Sequence, residues 1–258
     1  MEKFVFRLFI RVFSVTLLAL LLHACASTGD KDDPTAGMDA KQIYEKASAE
    51  LKSEDYQTAI KYYERLEARF PYGEYAERAQ MEIAYAYYKD NEPESAILAA
   101  DRFIKLHPNH PNVDYMYYMR GLASYDLSKS FLDTLFNVDP TERDPKAARR
   151  SFEYFAELIK KFPKSRYSKD AIQRMVTIRN SLANYEVHVA NYYLSRGAYL
   201  AAANRGKYVV ENYQQTPAVP DALAIMVEAY QKLGMKDLAA DTRRVIELNY
   251  PNHPSLKK

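Results

Sequence analysis

The chain has 258 residues, 48% of them hydrophobic, enough apolar side chain for the core of one domain or one short solenoid. Its formal charge of +2 comes wholly from residues 1–24, where Lys3, Arg7 and Arg11 stand against Glu2. The remainder is balanced and offers no general electrostatic footprint for nucleic acid. Seven glycines against 23 tyrosines disfavour β-sandwiches and glycine-rich phosphate loops and favour helices packed through aromatic rings.

Residues 1–24 read as an export signal. A basic stretch up to Arg11 precedes an apolar run of eleven residues, Val12 to Leu22. As a helix that run measures about 16 Å, roughly half the hydrocarbon core of a bilayer, too short to span it. Leu22-His23-Ala24-Cys25 follows directly, and Cys25 is the only cysteine. A lone cysteine behind a small residue at this place resembles the lipobox of bacterial lipoproteins, with His23 departing from the usual small residue. The alternative is an ordinary signal peptide that happens to hold a cysteine. The resemblance implies cleavage before Cys25, an S-diacylglycerol group and an N-palmitoyl chain on it, and, with Ala26 rather than Asp beside it, sorting to the outer membrane. Several acyl chains make a stable anchor, since each buried CH₂ contributes about 0.8 kcal/mol. A lipidated Cys25 leaves no thiol for disulfide or metal chemistry, and neither metal nor cofactor is expected. Residues 25–39 read as the lipidated N-terminus and a flexible tether, small, polar and acidic.

From residue 40 the chain reads as all-α. A frame of one small residue, a second position four later and a stop twelve after the first recurs five times. Its copies are Ala59/Tyr63/Pro71, Ala96/Ala100/Pro108, Ser151/Phe155/Pro163, Ala202/Gly206/Gln214 and Ala239/Arg243/Pro251, spaced 37, 55, 51 and 37 residues apart. A fixed unit with insertions marks a helical repeat solenoid, here five pairs or ten helices. Apolar spacing draws the pairs as 41–52 with 56–70, 74–89 with 94–106, 112–127 with 145–161, 168–195 with 199–213, and 219–232 with 236–249. The fourth opens with a helix too long for a standard unit. Residues 128–144 stand outside the repeat. Phe131, Leu132, Leu135 and Phe136 form an apolar stripe there, read as folding back over a neighbouring repeat, with a contact surface as the alternative.

The half-repeat Asp55-Tyr56-x-x-Ala59-Ile60-x-Tyr62-Tyr63…Pro71 resembles the second helix of a tetratricopeptide repeat. Longer strings narrow the resemblance, among them Arg69-Phe70-Pro71-Tyr72-Gly73-x-Tyr75, Asp101-Arg102-Phe103-Ile104-x-Leu106-x-Pro108, Tyr118-Met119-Arg120-Gly121-Leu122 and Asn204-Arg205. Together with the lipobox they resemble the BamD family, the tetratricopeptide lipoproteins of the outer-membrane β-barrel assembly complex, over about residues 40–250. The resemblance implies a non-enzymatic scaffold of Gram-negative bacteria, anchored to the outer membrane and facing the periplasm. Repeats four and five (166–258) would bind a POTRA domain of the barrel-forming assembly subunit. Repeats one to three (40–165) would help receive unfolded outer-membrane proteins, and accessory lipoproteins would dock on the scaffold. The other classes left open are a different tetratricopeptide lipoprotein, such as a secretin pilotin or cell-envelope organiser, and a lipid-tethered periplasmic enzyme.

Candidate contact residues follow. Tyr72, Tyr75, Tyr85, Tyr88, Arg102 and Arg120 fall in the first three repeats and suit an extended peptide with aromatic side chains and a carboxylate end, because tyrosines stack and arginines make forked contacts. The plainer reading of these tyrosines is packing between helices. Arg205 matches the family's arginine at the POTRA interface, which implies a salt bridge to an acidic residue there, with Tyr199 and Arg196 as neighbours. No HExxH, GxSxG or phosphate-loop pattern occurs, and most histidines fall in the repeat-end strings HPNH and NHP. An enzyme is not expected.

Overall fold

A computed structural model describes residues 33–127 and 145–257. The signal, Cys25 and the insertion at 128–144 lie outside them. The described residues hold ten α-helices and no strand. They are α1 (Ala40–Lys52), α2 (Tyr56–Arg69), α3 (Glu74–Lys89), α4 (Pro93–Leu106), α5 (Val113–Leu127), α6 (Lys146–Lys161), α7 (Ser168–Ser195), α8 (Tyr199–Asn212), α9 (Val219–Lys232) and α10 (Lys236–Asn249), followed by a 3₁₀ turn (Pro254–Lys257). Every element differs from its expected span by no more than a residue or two at either end.

Local chemistry sets the ends. Asp39 and Gln42 form a reciprocal capping box on α1, and Asp55 caps α2 by accepting from the Thr58 amide. The second helices of four pairs end two residues before a proline, and the intervening Phe70, His107, Phe162 and Tyr250 take φ near −130°. The proline ring excludes the helical region for its predecessor, so those helices cannot continue. The turn inside each pair is also reused. Glu54, Asn91, Gly197 and Gly234 all have φ between 62° and 74°, each one residue after the end of a first helix's cap. In the third pair the stretch between the helices lies outside the described residues, and Pro145 stands at the start of α6.

Each helix packs on its chain neighbours, and the first helices also touch one another, α1 with α3, α3 with α5 and α7 with α9. The first helices therefore form the tighter, inner wall of a curved stack. The frame residues explain the close approach of each pair: Ala59, Ala96, Ser151, Ala202 and Ala239 are buried, and so are Tyr63, Ala100, Phe155 and Gly206. Arg243 is half-exposed and pairs with Glu247 one turn on. Two glycines admit neighbours that no side chain could: a Cβ on Gly121 would lie 2.4 Å from the Phe155 ring, and one on Gly206 would lie 2.8 Å from the Ala222 carbonyl.

The tether expected over 25–39 is shorter than the sequence suggests. Thr35 is fully buried, Arg65 pairs with Asp33, and Arg69 donates to the Thr35 carbonyl and, at 3.0 Å, to its hydroxyl. Residues 33–39 are thus held against α2. Composition marks this stretch as polar and small, and what holds it is tertiary: the two arginines, and Met38 packed against the first core cluster.

Candidate functional site

The inner wall of the first three repeats carries a run of tyrosines. Tyr44 on α1 lies 5.8 Å from the Tyr63 ring and 5.6 Å from that of Tyr75, which opens α3. Tyr115 and Tyr118 on α5 pack against Tyr167 at 5.5 and 4.8 Å, the latter pair stacked. The Tyr115 hydroxyl is raised, first by burial and then by its neighbours, Tyr85 on α3 among them. Tyr118 donates to Asp170 at 2.6 Å, and burial followed by this bond pushes its hydroxyl up to about 12. Among these rings lies Glu82, whose carboxyl burial raises above the ordinary range.

The six residues singled out for peptide contact do not converge. Tyr75 and Tyr85 belong to this inner wall. Tyr72 protrudes from the α2–α3 loop, 91% exposed. Tyr88 donates to Asp126 at 2.6 Å, tying α3 to the end of α5. Arg102 lies on a second helix, 3.5 Å from Glu67, and lines a shallow recess of about 290 Å³ with Tyr87 and Leu98. Arg120 does not offer the free fork the sequence suggests. Its guanidinium is buried between the rings of Tyr117 and Tyr154 and bonds to Asp101 and Glu157 at 2.7 Å each. It is an internal strut between α4, α5 and α6.

In the second half, Arg205 also has an internal partner. It bonds at 2.7 Å to Glu186, a glutamate of α7 that is only 1% exposed and is gripped from the other side by Arg149 of α6 at 3.0 Å. A single buried carboxylate thus joins three helices, while both arginines remain partly open to solvent. Arg196 lies over the Tyr192 ring at 5.3 Å, and Tyr199 packs half-buried against the small cluster of Ala190, Ala202, Ala203, Ile225 and Ala229. A cleft of about 730 Å³ opens between α7, α9, α10 and the closing turn, bordered by Leu194, Glu228, Arg243 and Leu256. On α10, Leu238, Val245 and Leu248 are 48, 42 and 82% exposed and share one face.

Among the described residues no His, Cys, Asp and Glu group is placed to hold a metal, and no helix is long and apolar enough to cross a membrane. His107 bonds to Gln80 at 2.9 Å and His253 to Asp221 at 3.1 Å, each fastening a repeat end to the preceding first helix. The family profile described as "YfiO: Outer membrane lipoprotein" matches residues 36–245. Outer membrane protein assembly factor BamD of Neisseria meningitidis serogroup A / serotype 4A is 47% identical over 95% of this chain and 93% of its own length. The chain belongs to the BamD family. BamD of Xylella fastidiosa (strain Temecula1) is 38% identical over 96% of this chain and 85% of its own, and that of Vibrio cholerae serotype O1 is 37% identical over 90% and 96%. Among solved structures, the type IV pilus biogenesis factor PilW aligns over 86% of this chain and 98% of its own with TM-score 0.34 and 14% identity.

BamD relatives are named as assembly factors rather than enzymes. Glu82, Glu186 and Arg149 are the residues sequence reasoning passed over in this BamD-family chain. One of them carried a signal: Glu186 falls four residues before Ala190 on the buried stripe of α7. A carboxylate on an apolar stripe needs a partner, and that requirement was readable.

Proposed function

We propose that the protein is a lipid-anchored scaffold of outer-membrane protein assembly, with repeats four and five binding a POTRA domain of the barrel-forming subunit. The observation that carries this reading is the apolar face of α10. Among the described residues α10 packs chiefly on α9 and leaves its other side open, where a solvated helix normally carries polar residues. Leu238, Val245 and Leu248 instead form a stripe that a partner would cover. Repeats one to three would receive unfolded outer-membrane proteins along the tyrosine wall, whose rings suit aromatic-rich extended chains. Lipid on Cys25 would hold the body at the periplasmic side of the outer membrane, and accessory lipoproteins would share the outer faces.

Replacing Val245 and Leu248 by Glu leaves the fold intact, because both point outward. It should lower recovery of the barrel-forming subunit from solubilised membranes about tenfold, roughly 1.4 kcal/mol. Unchanged recovery would remove the C-terminal repeats from the interface. Arg205 needs a paired experiment, because it has work inside the chain as well. If Arg205 reaches across to an acidic partner, Arg205→Gln lowers recovery, whereas Glu186→Gln, which releases the arginine, does not. Equal losses in both would confine Arg205 to the interior. Cys25→Ser should shift the protein from the membrane to the soluble fraction; firm retention would discard the lipid anchor.

A further inference from the structure

On the outer face, α2 and α4 leave a gap between them over α3, which packs on both. This is the recess of about 290 Å³ that Arg102 borders. Glu64 and Glu67 of α2 line one side, Leu98 and Arg102 of α4 the other, with Ile83 and Tyr87 of α3 between. Small-molecule clefts run from roughly 300 to 1,000 Å³, so this one suits a single side chain. Among its lining residues two carboxylates face one cation. Glu64 accepts from the Tyr87 hydroxyl at 2.9 Å. Glu67 is less well served. Its side chain is 12% exposed, and its Oε1 is shut off from solvent without a hydrogen-bond partner. Its Oε2 has Arg102 at 3.5 Å, longer than the about 2.7–2.9 Å of a close charge-assisted bond, and that arginine is 62% exposed. Burial raises the Glu67 carboxyl in spite of Arg102 and Gln80, so its charge is under-compensated where it stands. Leu98, 69% exposed, forms an apolar lip beside it.

We propose that this recess is a subsite for a lysine or arginine side chain of a polypeptide laid across the outer face. The incoming cation enters between the Glu64 and Glu67 carboxylates and supplies the charge that Arg102 gives only loosely. Its aliphatic stem lies on Leu98, and the Tyr87 ring adds its own attraction for a cation. An acidic side chain is refused, because it would bring a third negative charge into the same small space. This reverses the expectation that Arg102 waits for a peptide carboxylate. The proposal rests on the reading that accessory lipoproteins share the outer faces.

Two measurements on the full-length, detergent-solubilised protein test it. The first uses a fluorescein-labelled peptide, Gly-Ser-Leu-Arg-Leu-Ser-Gly, and its twin with citrulline, the neutral isostere of arginine. The arginine peptide should bind about five- to tenfold tighter, and Glu67→Gln, which keeps the shape and removes the charge, should bring it to the citrulline level. Equal binding of the two to wild type, a difference that survives Glu67→Gln, or no binding by either overturns the subsite. The second measurement needs no variant at all. In wild type labelled at isoleucine and leucine methyls, the arginine peptide should shift the signals of Ile83 and Leu98, and the citrulline peptide should shift them far less at equal concentration. Unmoved signals would place any bound arginine elsewhere and overturn the assignment. The underlying reading is tested apart, by recovery of accessory lipoproteins from solubilised membranes. Leu98→Glu should lower it; unchanged recovery would take those partners off this face and leave the peptide result standing.

Discussion

Arg120 illustrates how residue type and residue role separate. Its string in the sequence fits either a peptide contact or a core strut, and the difference is set by Asp101, Glu157 and two flanking rings that arrive from other helices. Burial alone would raise the Glu157 carboxyl, yet hydrogen bonds from Lys161 and Arg120 outweigh it and hold it below the usual 4.5. A depressed carboxyl contributes stability above its unfolded value and loses it as pH falls through the folded one. Arg120→Met should therefore cost about 2–3 kcal/mol near neutrality, discounted because both carboxylates are partly exposed, with the cost shrinking on acidification. Chemical denaturation at two pH values measures this. Arg120→Lys should not rescue, because an ammonium cannot fork to two acids while lying flat between two rings. Gly206 offers the opposite case, a role legible only as absence of a side chain. Gly206→Ala gains about 1 kcal/mol of helix propensity but drives a methyl against the Ala222 carbonyl and Met226. Overpacking of about 1–3 kcal/mol should leave it net destabilised in a urea melt.

The elements themselves were legible because their punctuation is covalent. Proline stops, small residues for close approach and the apolar period act locally, so helix ends agree with the sequence reading to within a residue or two. The turn residues were less legible. Glu54 and Gly234 occupy the same left-handed conformation, although only glycine announces it. Glu54→Gly should raise stability by about 0.5–1 kcal/mol, seen as a higher melting temperature, while Gly234→Ala should lower it. The 28-residue α7 is the element whose length was read and whose purpose was not. At about 1.5 Å per residue it spans roughly 42 Å. It packs against α6 in front and α8 behind, and Glu186 fastens it to both. That clasp depends on three residues far apart in sequence, so no local pattern discloses it.

At the scale of the whole molecule the core is divided. Ile43, Ala47, Ala59, Tyr63, Leu66, Ala76, Ala79 and Ile83 form a cluster of their own, separate from the large one that runs from Ala84 to Ile246. In a stack whose units touch only neighbours, such a division allows one end to open alone. Leu66→Ala, a fully buried site, should cost about 2–5 kcal/mol. Hydrogen exchange should quicken in α1 and α2 and stay unchanged in α9; uniform acceleration would show one cooperative unit instead. The architecture was legible because the repeat is periodic. The exposed surfaces were legible in part, since the open apolar side chains of α10 and the internal pairing of Arg120 and Arg205 emerge only once the pairs are stacked. The anchoring of residues 33–39 to α2 has a geometric consequence. With Asp33 fastened by Arg65, seven residues separate it from Cys25. The eight steps between the two, at roughly 3.3–3.6 Å each, reach about 28 Å at full stretch, so an acyl-bearing Cys25 would put the protein on a short leash. Its first two helices would sit within one protein diameter of the lipid surface, and the far end of the stack would swing through a wide arc above it.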